Sequence, residues 1–369
     1  MTPTDNPHAK YFLALAKVKI IGPVRFQKIW NFFGNLEEAW NAKQIDFQSA
    51  GLEKDVVQKI IETRDKIDLN SEMEKLANDG INFTTIFDDN YPKLLKEIYN
   101  PPFILFYRGN ISCLYNSCLG VVGARKNSEY GKLVTQEIVS ELARQKITIV
   151  SGLALGIDAL AHQACLQSGG VTIAVLGSSL DWPNVGPSTN KQLARDILEQ
   201  GGCLVSEYAP TLTASKITFP LRNRIISGLS LGVLIIEAAQ SSGTLITGKF
   251  ALEQNRDVFA VPGNIYSLTS AGTNNLIKLG AKLVTGASDI LEELNLRQIS
   301  EISEQNIEIP STEEEKFILQ YLSQEPTHID KISQLCKIRI SVLSSKLMLM
   351  EMNGLIKDAG AQNYIKLIK

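Results

Sequence analysis

The segment around residues 216–224 concentrates side chains suited to binding nucleic acid. Lys216 and Phe219 precede Arg222, Asn223 and Arg224 at the beginning of a predicted helix. Cations and a carboxamide at a helix start bind phosphate well, and an aromatic ring can stack on an unpaired base. The pattern predicts a phosphate-backbone site with a base beside it. The alternative is that Phe219 belongs to the core and the arginines are solvated, and this segment by itself does not decide between the two interpretations.

A loop at residues 120–126 is a second candidate for binding phosphate. It follows an apolar strand and contains Gly123, Arg125 and Lys126. Glycine lets the backbone approach an anion, helix amides point toward the anion, and arginine supplies charge. The dinucleotide fingerprint G-x-G-x-x-G is absent, so we expect no nicotinamide cofactor.

The loop at residues 151–158 repeats this arrangement after the next strand, and its two glycines, Gly152 and Gly156, allow close approach of the backbone. Ser151, Asp158 and His162 include the residue types of a hydrolytic triad. The G-x-S-x-G elbow of such enzymes is absent. We therefore expect Asp158 and His162 to contact each other and brace the loop.

Residues 243–250 match the first seven positions of the P-loop pattern G-x-x-x-x-G-K-[ST], but Phe250 replaces the hydroxyl residue that would hold magnesium. Residues 245–254 also have the pattern of one amphipathic helix. We therefore interpret Ser242, Gly243 and Thr244 as a helix-start anion nest instead of an ATP site.

Composition narrows the function classes further. The chain has 369 residues, 44% of them hydrophobic and 21% charged, with a net charge of −2. Any nucleic-acid site must therefore be a local basic patch. Five scattered cysteines and three histidines form no zinc-ligand spacing, so we expect no metal and a reducing, cytoplasmic setting. No secretory signal or membrane span is predicted.

The elements that must position these loops divide the chain into four parts. Residues 10–80 show only helical periodicity, and residues 1–84 are predicted to form a domain of the SAM or helix-hairpin-helix type. The helices predicted there are 11–18, 24–33, 36–40, 54–67 and 71–78. Two stretches, at 19–24 and 49–52, look like joints between helices. The first resembles the DNA-binding hairpin of helix-hairpin-helix modules, although Ile20 stands where the first hairpin glycine is usual. A DNA contact and a plain helical scaffold both remain open.

Residues 85–297 alternate short β-branched runs with amphipathic helices, which predicts an α/β core with a mainly parallel, Rossmann-like sheet. Ligands of such sheets bind beyond the carboxyl ends of the strands, where the four loops fall. The predicted strands are 103–107, 118–122, 147–150, 172–176, 204–206, 232–236, 258–261 and 282–284. The predicted helices include 129–144, 157–167, 191–199, 245–254 and 273–279.

Residues 298–310 are predicted to form a linker, and residues 311–369 a winged-helix domain. Its first helix is expected to begin at Ser311, and its second and third helices to span 327–335 and 341–352. Residues 355–357 and 364–368 are expected to pair as a hairpin after them. This domain has eight Lys and Arg and seven Asp and Glu. A balance of +1 fits a protein contact as well as DNA.

Five motifs occur here in the order found in the DNA-processing protein A (Smf) family, and the chain resembles that family over nearly its whole length. The motifs are V-G-A-R at 122–125, S-G-L-A-L-G-I-D at 151–158, F-P-L-R-N-R-I-I at 219–226, S-G-T-L-I-T at 242–247 and F-A-V-P-G at 259–263. The resemblance implies a non-enzymatic, homodimeric protein of natural transformation. Such a protein binds and protects incoming single-stranded DNA and helps to load the RecA recombinase.

The resemblance also implies roles for individual residues. Arg125 and Lys216 would contact phosphate, and Phe219 would lie against a base. Gly152 and Ala154 would shape the loop at 151–158, and Arg222 and Arg224 would complete a cationic rim. Two departures from the family pattern stand out. Ala124 replaces a usual serine, and residues 181–190 form a longer turn than the family's Y-P-x-x-N.

The rival interpretation is an enzyme. Phosphoribohydrolases of the same fold superfamily have a loop of the form P-G-G-x-G-T-x-x-E, which corresponds to residues 240–247 here. Thr247 occupies the position of the acid, so hydrolysis would lack its carboxylate.

Overall fold

A nine-stranded, mainly parallel sheet forms the centre of the first of two units, Met1–Leu296 and Arg297–Lys369. The structure is a computed structural model and describes residues 8–295, 317–323, 326–352, 355–358, 360 and 362–366. The strands of this sheet are β1 (Asn82–Thr85), β2 (Ile104–Gly109), β3 (Cys118–Val122), β4 (Thr148–Ser151), β5 (Thr172–Val175), β6 (Cys203–Ser206), β7 (Gly232–Ile235), β8 (Asp257–Ala260) and β9 (Lys282–Leu283).

The strand order, β1-β2-β6-β5-β4-β3-β7-β8-β9, explains where a ligand can bind. The chain builds outward from β3 through β4, β5 and β6 and then returns to place β7 on the other side of β3. Neighbouring strands from β6 to β9 are parallel, whereas β2 pairs antiparallel with β1 and β6. The order reverses between β3 and β7, and crevices form at such switch points. The expected α/β class is confirmed.

Helices cover both faces of the sheet because its strands are buried on both sides. Ser128 caps the helix after β3, since its Oγ accepts a hydrogen bond from the Gly131 amide at 3.0 Å. The helices that follow the N-terminal segment are α7 (Lys93–Lys96), α8 (Glu129–Arg144), α9 (Ile157–Gln167), α10 (Lys191–Glu199), α11 (Thr218–Gly228), α12 (Thr244–Glu253), α13 (Ala271–Lys278) and α14 (Ala287–Glu293).

Six helices precede the sheet: α1 (Ala9–Lys17), α2 (Pro23–Phe33), α3 (Leu36–Asn41), α4 (Gln44–Ser49), α5 (Lys54–Arg64) and α6 (Leu69–Asn78). They share a core with one end of the sheet, where the rings of Phe26 and Phe103 stack at 4.2 Å between centroids. Two cations of α2, the helix after the first hairpin-like joint, contact protein groups at or near the second joint. Arg25 pairs with Glu53 at 3.3 Å, and Lys28 donates to the Gly51 carbonyl at 2.8 Å.

Strand β1 and three short helices of the first unit differ from the prediction. Strand β1 lies at the end of the segment expected to be helical, and as the edge strand of the sheet it pairs only with β2. Its four residues are too few to show a period of two in the sequence. Helices α4, α7 and α14 are not among the predicted helices, because each is shorter than the window over which helical periodicity becomes distinct.

The second unit contains helices α15 (Ile329–Cys336) and α16 (Ile340–Met352) and a three-stranded sheet in the order β10-β12-β11. The strands are β10 (Thr327–His328), β11 (Ile356–Asp358) and β12 (Asn363–Lys366). The helix expected from residue 327 begins only at Ile329, because Thr327 and His328 pair with β12. The predicted linker 298–310 and the helix start at Ser311 lie outside the described residues.

Three further observations bear on the function classes. No described helix has the length and apolarity needed to cross a membrane. The five cysteines are all buried free thiols. In the part of the chain that the structure describes, no group of three or more His, Cys, Asp or Glu side chains could hold a metal ion.

Candidate nucleic-acid interface

An open cleft of about 560 Å³ lies at the switch point, beyond the carboxyl ends of β3 and β7. The loops after β3, β4 and β7 and the beginning of α11 all contribute to it. Its lining includes most of the predicted site residues: Gly123, Arg125, Lys126, Ala154, Asp158, Lys216, Phe219, Arg222, Asn223, Ser242, Gly243 and Thr244. Sequence positions more than one hundred residues apart thus meet in one concave surface.

The loop after β3 presents two exposed cations, Arg125 and Lys126. Gly123 is needed for close packing, because a Cβ atom there would lie 2.6 Å from the Ile157 side chain of α9. The amide of Ile157 in turn donates to the Ala124 carbonyl at 3.2 Å. The loop is therefore fastened to the helix that follows β4, and its cations face solvent.

Lys216 and Phe219 flank the beginning of α11. The Ser215 hydroxyl accepts the amide of Thr218 at 3.2 Å and so forms the turn that starts this helix. Lys216 is exposed, and the half-buried Phe219 ring lies 5.2 Å from the Arg125 guanidinium carbon. This is a cation–π contact, and it joins the first loop to α11. The Arg125 guanidinium therefore lies over the Phe219 ring, and both side chains line the cleft.

Arg222 is not the rim cation that the sequence led us to expect. Its side chain is 3% exposed, and its Nη1 donates to the carbonyls of Gly152, at 2.6 Å, and Val175. A Cβ atom on Gly152 would lie 2.5 Å from Arg222 Nη2 and 2.6 Å from Asp158 Oδ2. Gly152 is thus buried beneath the cleft, where it leaves room for the guanidinium and the carboxylate.

Burial acts on both charged groups of this cluster. It raises the pKa of Asp158, and the neighbouring Arg222 guanidinium opposes that rise. Burial also lowers the pKa of Arg222, to about 10, although the Asp158 carboxylate partly counteracts it. Arg222 therefore keeps its charge at neutral pH, and its partners are protein groups.

Arg224 also differs from the prediction. It is 8% exposed and forms an ion pair with Glu207, with 2.6 Å between Nη2 and Oε2. It lines a separate hollow beside Glu207 and Tyr208 instead of the cleft. Its charge is neutralised within the protein, so the cationic rim consists of Arg125, Lys126 and Lys216.

The expected contact between Asp158 and His162 is wrong. The fully buried His162 has its Nδ1 2.7 Å from the Thr172 hydroxyl, which itself donates to the Ile149 carbonyl. His162 Nδ1 must therefore carry the proton and donate it. The pKa of His162 is lowered to about 3, mainly by burial and to a smaller extent by repulsion from the Arg222 charge. Asp158 braces its own loop by accepting the Ala154 amide at 3.4 Å.

The insertion at residues 181–190 still braces the second loop, despite its extra length. Its last residue, Asn190, is 8% exposed and donates to the carbonyls of Leu153 and Ala154 at 2.9 and 3.2 Å. Ser151 is also committed to structure, because its hydroxyl donates to the Val121 carbonyl at 2.6 Å. Neither the serine nor the histidine is arranged as a hydrolytic triad.

Helix α12 begins at Thr244, so residues 244–250 are helical and do not form a phosphate-binding P-loop. Ser242 Oγ accepts a hydrogen bond from the Thr244 amide at 3.2 Å. This bond forms the helix start that the sequence predicts for residues 242–244. The Thr244 hydroxyl donates to the Gly123 carbonyl at 3.0 Å and so joins this loop to the one after β3. Thr247 also lines the cleft and is almost fully buried.

Glu237 is a structural residue that the sequence reasoning missed. It follows β7, is 1% exposed, and accepts hydrogen bonds from the Ser128 amide, the Ser128 hydroxyl and the Thr269 hydroxyl at 2.9, 2.6 and 2.9 Å. It therefore ties the start of α8 to the loop before α13. An acid placed directly after an apolar strand was the only available signal.

The cleft combines exposed cations, hydroxyl groups, helix starts and one aromatic face. Asp158, the acid in its lining, is buried against Arg222 and does not project into the open space. This arrangement suits an extended polyanion whose bases are unstacked.

Two family models match the chain. The one described as DNA recombination-mediator protein A matches residues 82–295, and the one described as DprA winged helix domain matches residues 304–361. The relative named Protein Smf from Synechocystis is 34% identical in an alignment 396 residues long, which covers 97% of this chain and 99% of that protein. The DNA processing protein DprA of Streptococcus pneumoniae is 46% identical over 209 residues, covering 57% and 73%.

Two solved structures are similar to this one. The X-ray structure of DNA processing protein A from Streptococcus pneumoniae aligns with a TM-score of 0.67 and 37% identity, covering 77% of this chain and 97% of the other. DNA processing protein A from Helicobacter pylori, whose structure was described for its single-stranded DNA binding mode, aligns with a TM-score of 0.52 and 29% identity. That match covers 58% of this chain and 96% of the other.

Proposed function

This chain belongs to the DNA recombination-mediator protein A (DprA/Smf) family, and on that premise we propose that its cleft binds single-stranded DNA during DNA processing. The observation that carries the proposal is the meeting of Arg125, Lys126 and Lys216 with the Phe219 ring at the sheet's switch point. The cations neutralise successive phosphates, and the ring offers a face to an unpaired base.

The geometry favours a single strand over a duplex. A duplex keeps its bases stacked inside, so Phe219 could not reach a base face. Sequence-specific reading of duplex DNA usually places a helix or ribbon in the major groove. Here the cations come from loops within a concave surface, so binding is expected to depend on the backbone and to be nearly independent of sequence.

We extend the proposal to a recombination mediator of natural transformation. In that role the protein acts in the cytoplasm as a homodimer, protects incoming strands, helps to load RecA and needs no enzymatic turnover. The description of the matching family as a DNA recombination mediator supports the mediator role. The remaining points are what the resemblance to the family implies.

A gel-shift titration with matched single-stranded and duplex oligonucleotides, at two salt concentrations, tests the proposal. We expect tighter binding of the single strand and a steep loss of affinity with salt, with a log–log slope of about −0.7 per phosphate contact. Equal affinity for the duplex, or no salt dependence, would refute the assignment.

A second assay examines the enzymatic alternative. Thr247 stands where the phosphoribohydrolases have an acid, and Asp158 is buried against Arg222. Incubation with nucleoside monophosphates should therefore release no free base. Release of base at a rate proportional to protein concentration, and lost with a substitution in the cleft, would contradict the non-enzymatic assignment.

A further inference from the structure

The loop between β8 and α13 places three large apolar side chains in water. Ile265 is 78% exposed, Tyr266 89% and Leu268 83%. Residues 258–277 contain no Asp, Glu, Lys or Arg. We call Ile265, Tyr266 and Leu268 the apolar tip. A concentration of exposed apolar groups on one loop marks a surface that another molecule covers.

The ends of this loop are firmly fastened. The Gly263 amide and carbonyl form two hydrogen bonds with the Asn274 side chain, at 3.1 and 3.0 Å. The Tyr130 hydroxyl donates to the Pro262 carbonyl at 2.8 Å, and the Thr269 hydroxyl donates to Glu237. The loop is thus anchored to α8, α13 and the carboxyl end of β7.

The apolar tip itself is held in a defined turn. The Asn264 side chain accepts the amide of Tyr266 at 2.9 Å, and the Asn264 carbonyl accepts the amide of Ser267 at 2.9 Å. These bonds hold the turn in one shape while its large side chains stay in water. A preorganised aromatic surface loses little conformational entropy when it binds.

The apolar tip adjoins the cleft. Thr269 lines the cleft, and Tyr266 is three residues away, so their Cα atoms can be at most about 11 Å apart. A strand that leaves the cleft on this side meets a surface without charge. Such a surface does not attract phosphates, but it suits the flat, apolar faces of unstacked bases.

We propose that the apolar tip is a second base-binding platform, on which Tyr266 stacks with a nucleotide beyond those whose phosphates occupy the cleft. This inference rests on the proposed function, since it takes the same strand as the occupant. Continuity with the cleft favours DNA over a protein partner, and the absence of acids in the loop removes repulsion from the backbone. The platform would lengthen the binding site beyond the cleft.

The test compares Tyr266→Ala with wild type in the full chain, using oligothymidylates of about 5 and about 20 nucleotides, lengths that bracket a typical site. Tyr266→Ala should weaken binding of the long strand roughly tenfold while leaving the salt slope unchanged, because it removes stacking and no charge. Binding of the short strand, which the cleft alone accommodates, should change less than about twofold.

Two control variants isolate the role of the ring. Tyr266→Phe keeps the aromatic face and should bind the long strand as wild type does. Tyr99→Ala removes a tyrosine that is 92% exposed elsewhere on the chain and should have no effect. Because Tyr266 is so exposed, Tyr266→Ala should melt at the wild-type temperature, so a change in binding cannot come from unfolding.

Several outcomes would overturn the inference. Wild-type affinity of Tyr266→Ala for the long strand would exclude the platform while leaving the cleft intact. A variant that binds DNA normally but changes its sedimentation mass would show that the apolar tip covers a second copy of the chain. A wild-type protein that binds neither strand would instead refute the proposed function, and the platform with it.

Discussion

Arg222 has either a structural role or a role in binding phosphate, and the substitution Arg222→Ala distinguishes between the two. In the structure its guanidinium is 3% exposed, donates to the carbonyls of Gly152 and Val175, and faces the buried Asp158 carboxylate across Gly152. Arg222→Ala would leave two buried carbonyls without this donor and one carboxylate without its nearby cation. We therefore expect a folding defect and not a selective loss of DNA binding.

The magnitude follows from those contacts. A buried polar group left unpaired costs about 1–3 kcal/mol, and removal of one partner of a buried charge pair costs about 3–5 kcal/mol. These contributions overlap, so we expect the free energy of unfolding to fall by about 3–5 kcal/mol. In a unit of this size such a loss lowers the melting temperature by roughly 10 °C.

Urea unfolding monitored beside DNA titration provides the assay. Arg125→Ala is the matched control, because Arg125 is exposed in the same cleft. It should keep its stability and lower the log–log salt slope by about 0.7. In the Arg222→Ala background, Asp158→Asn should recover part of the lost stability by removing the uncompensated charge. Arg222→Ala with wild-type stability and a reduced salt slope would show that Arg222 contacts phosphate after all.

Three further predictions follow from the same structure. Phe219→Ala should weaken single-strand binding by about 1–3 kcal/mol without changing the salt slope; a loss that appears in thermal melts and not in binding would make the half-buried ring purely structural. The pKa of His162 is about 3 in the folded protein and about 6.5 in the unfolded chain, so below pH 6.5 the unfolded chain binds a proton that the folded protein does not bind. Stability should therefore fall by roughly 1–2 kcal/mol between pH 6.5 and 5, and His162→Asn, measured by urea unfolding, should flatten this dependence. Truncation after Leu296 should leave a folded unit that retains most of the single-strand affinity, as measured by gel shift, because Arg125, Lys126 and Lys216 all precede that point; a folded truncation that loses most of its affinity would assign the DNA site to the winged helix.

The regular elements around the site could be predicted closely from the sequence. The bounds expected for α8, α9 and α10 are those observed. Helices α8 and α10 each have a distinct apolar face, and local start or stop signals flank α8 and α9. Ser128 before α8 and Gly169 with Gly170 after α9 are such signals. The switch point is a consequence of strand order, which alternation of strand and helix does not reveal.

The direction of the arginine side chains could not be predicted. Arg222 and Arg224 lie in a run that contains two cations within three residues, which by composition suits an exposed phosphate site. Their partners, Gly152, Val175 and Glu207, are 70, 47 and 17 residues away along the chain. Only the folded structure shows that both guanidinium groups bind these protein groups and are therefore not available to phosphate.

Three ties of this kind account for the shape of the cleft. Arg222 joins α11 to the ends of β4 and β5, Thr244 joins α12 to the loop after β3, and Glu237 joins α8 to the loop before α13. Each tie crosses between loops that come from different strands. Because buried or partly buried hydrogen bonds hold the loops together, the exposed cations are already close to one another in the absence of DNA. Binding therefore needs little ordering of the loops, which leaves more of the phosphate and stacking energy available as affinity.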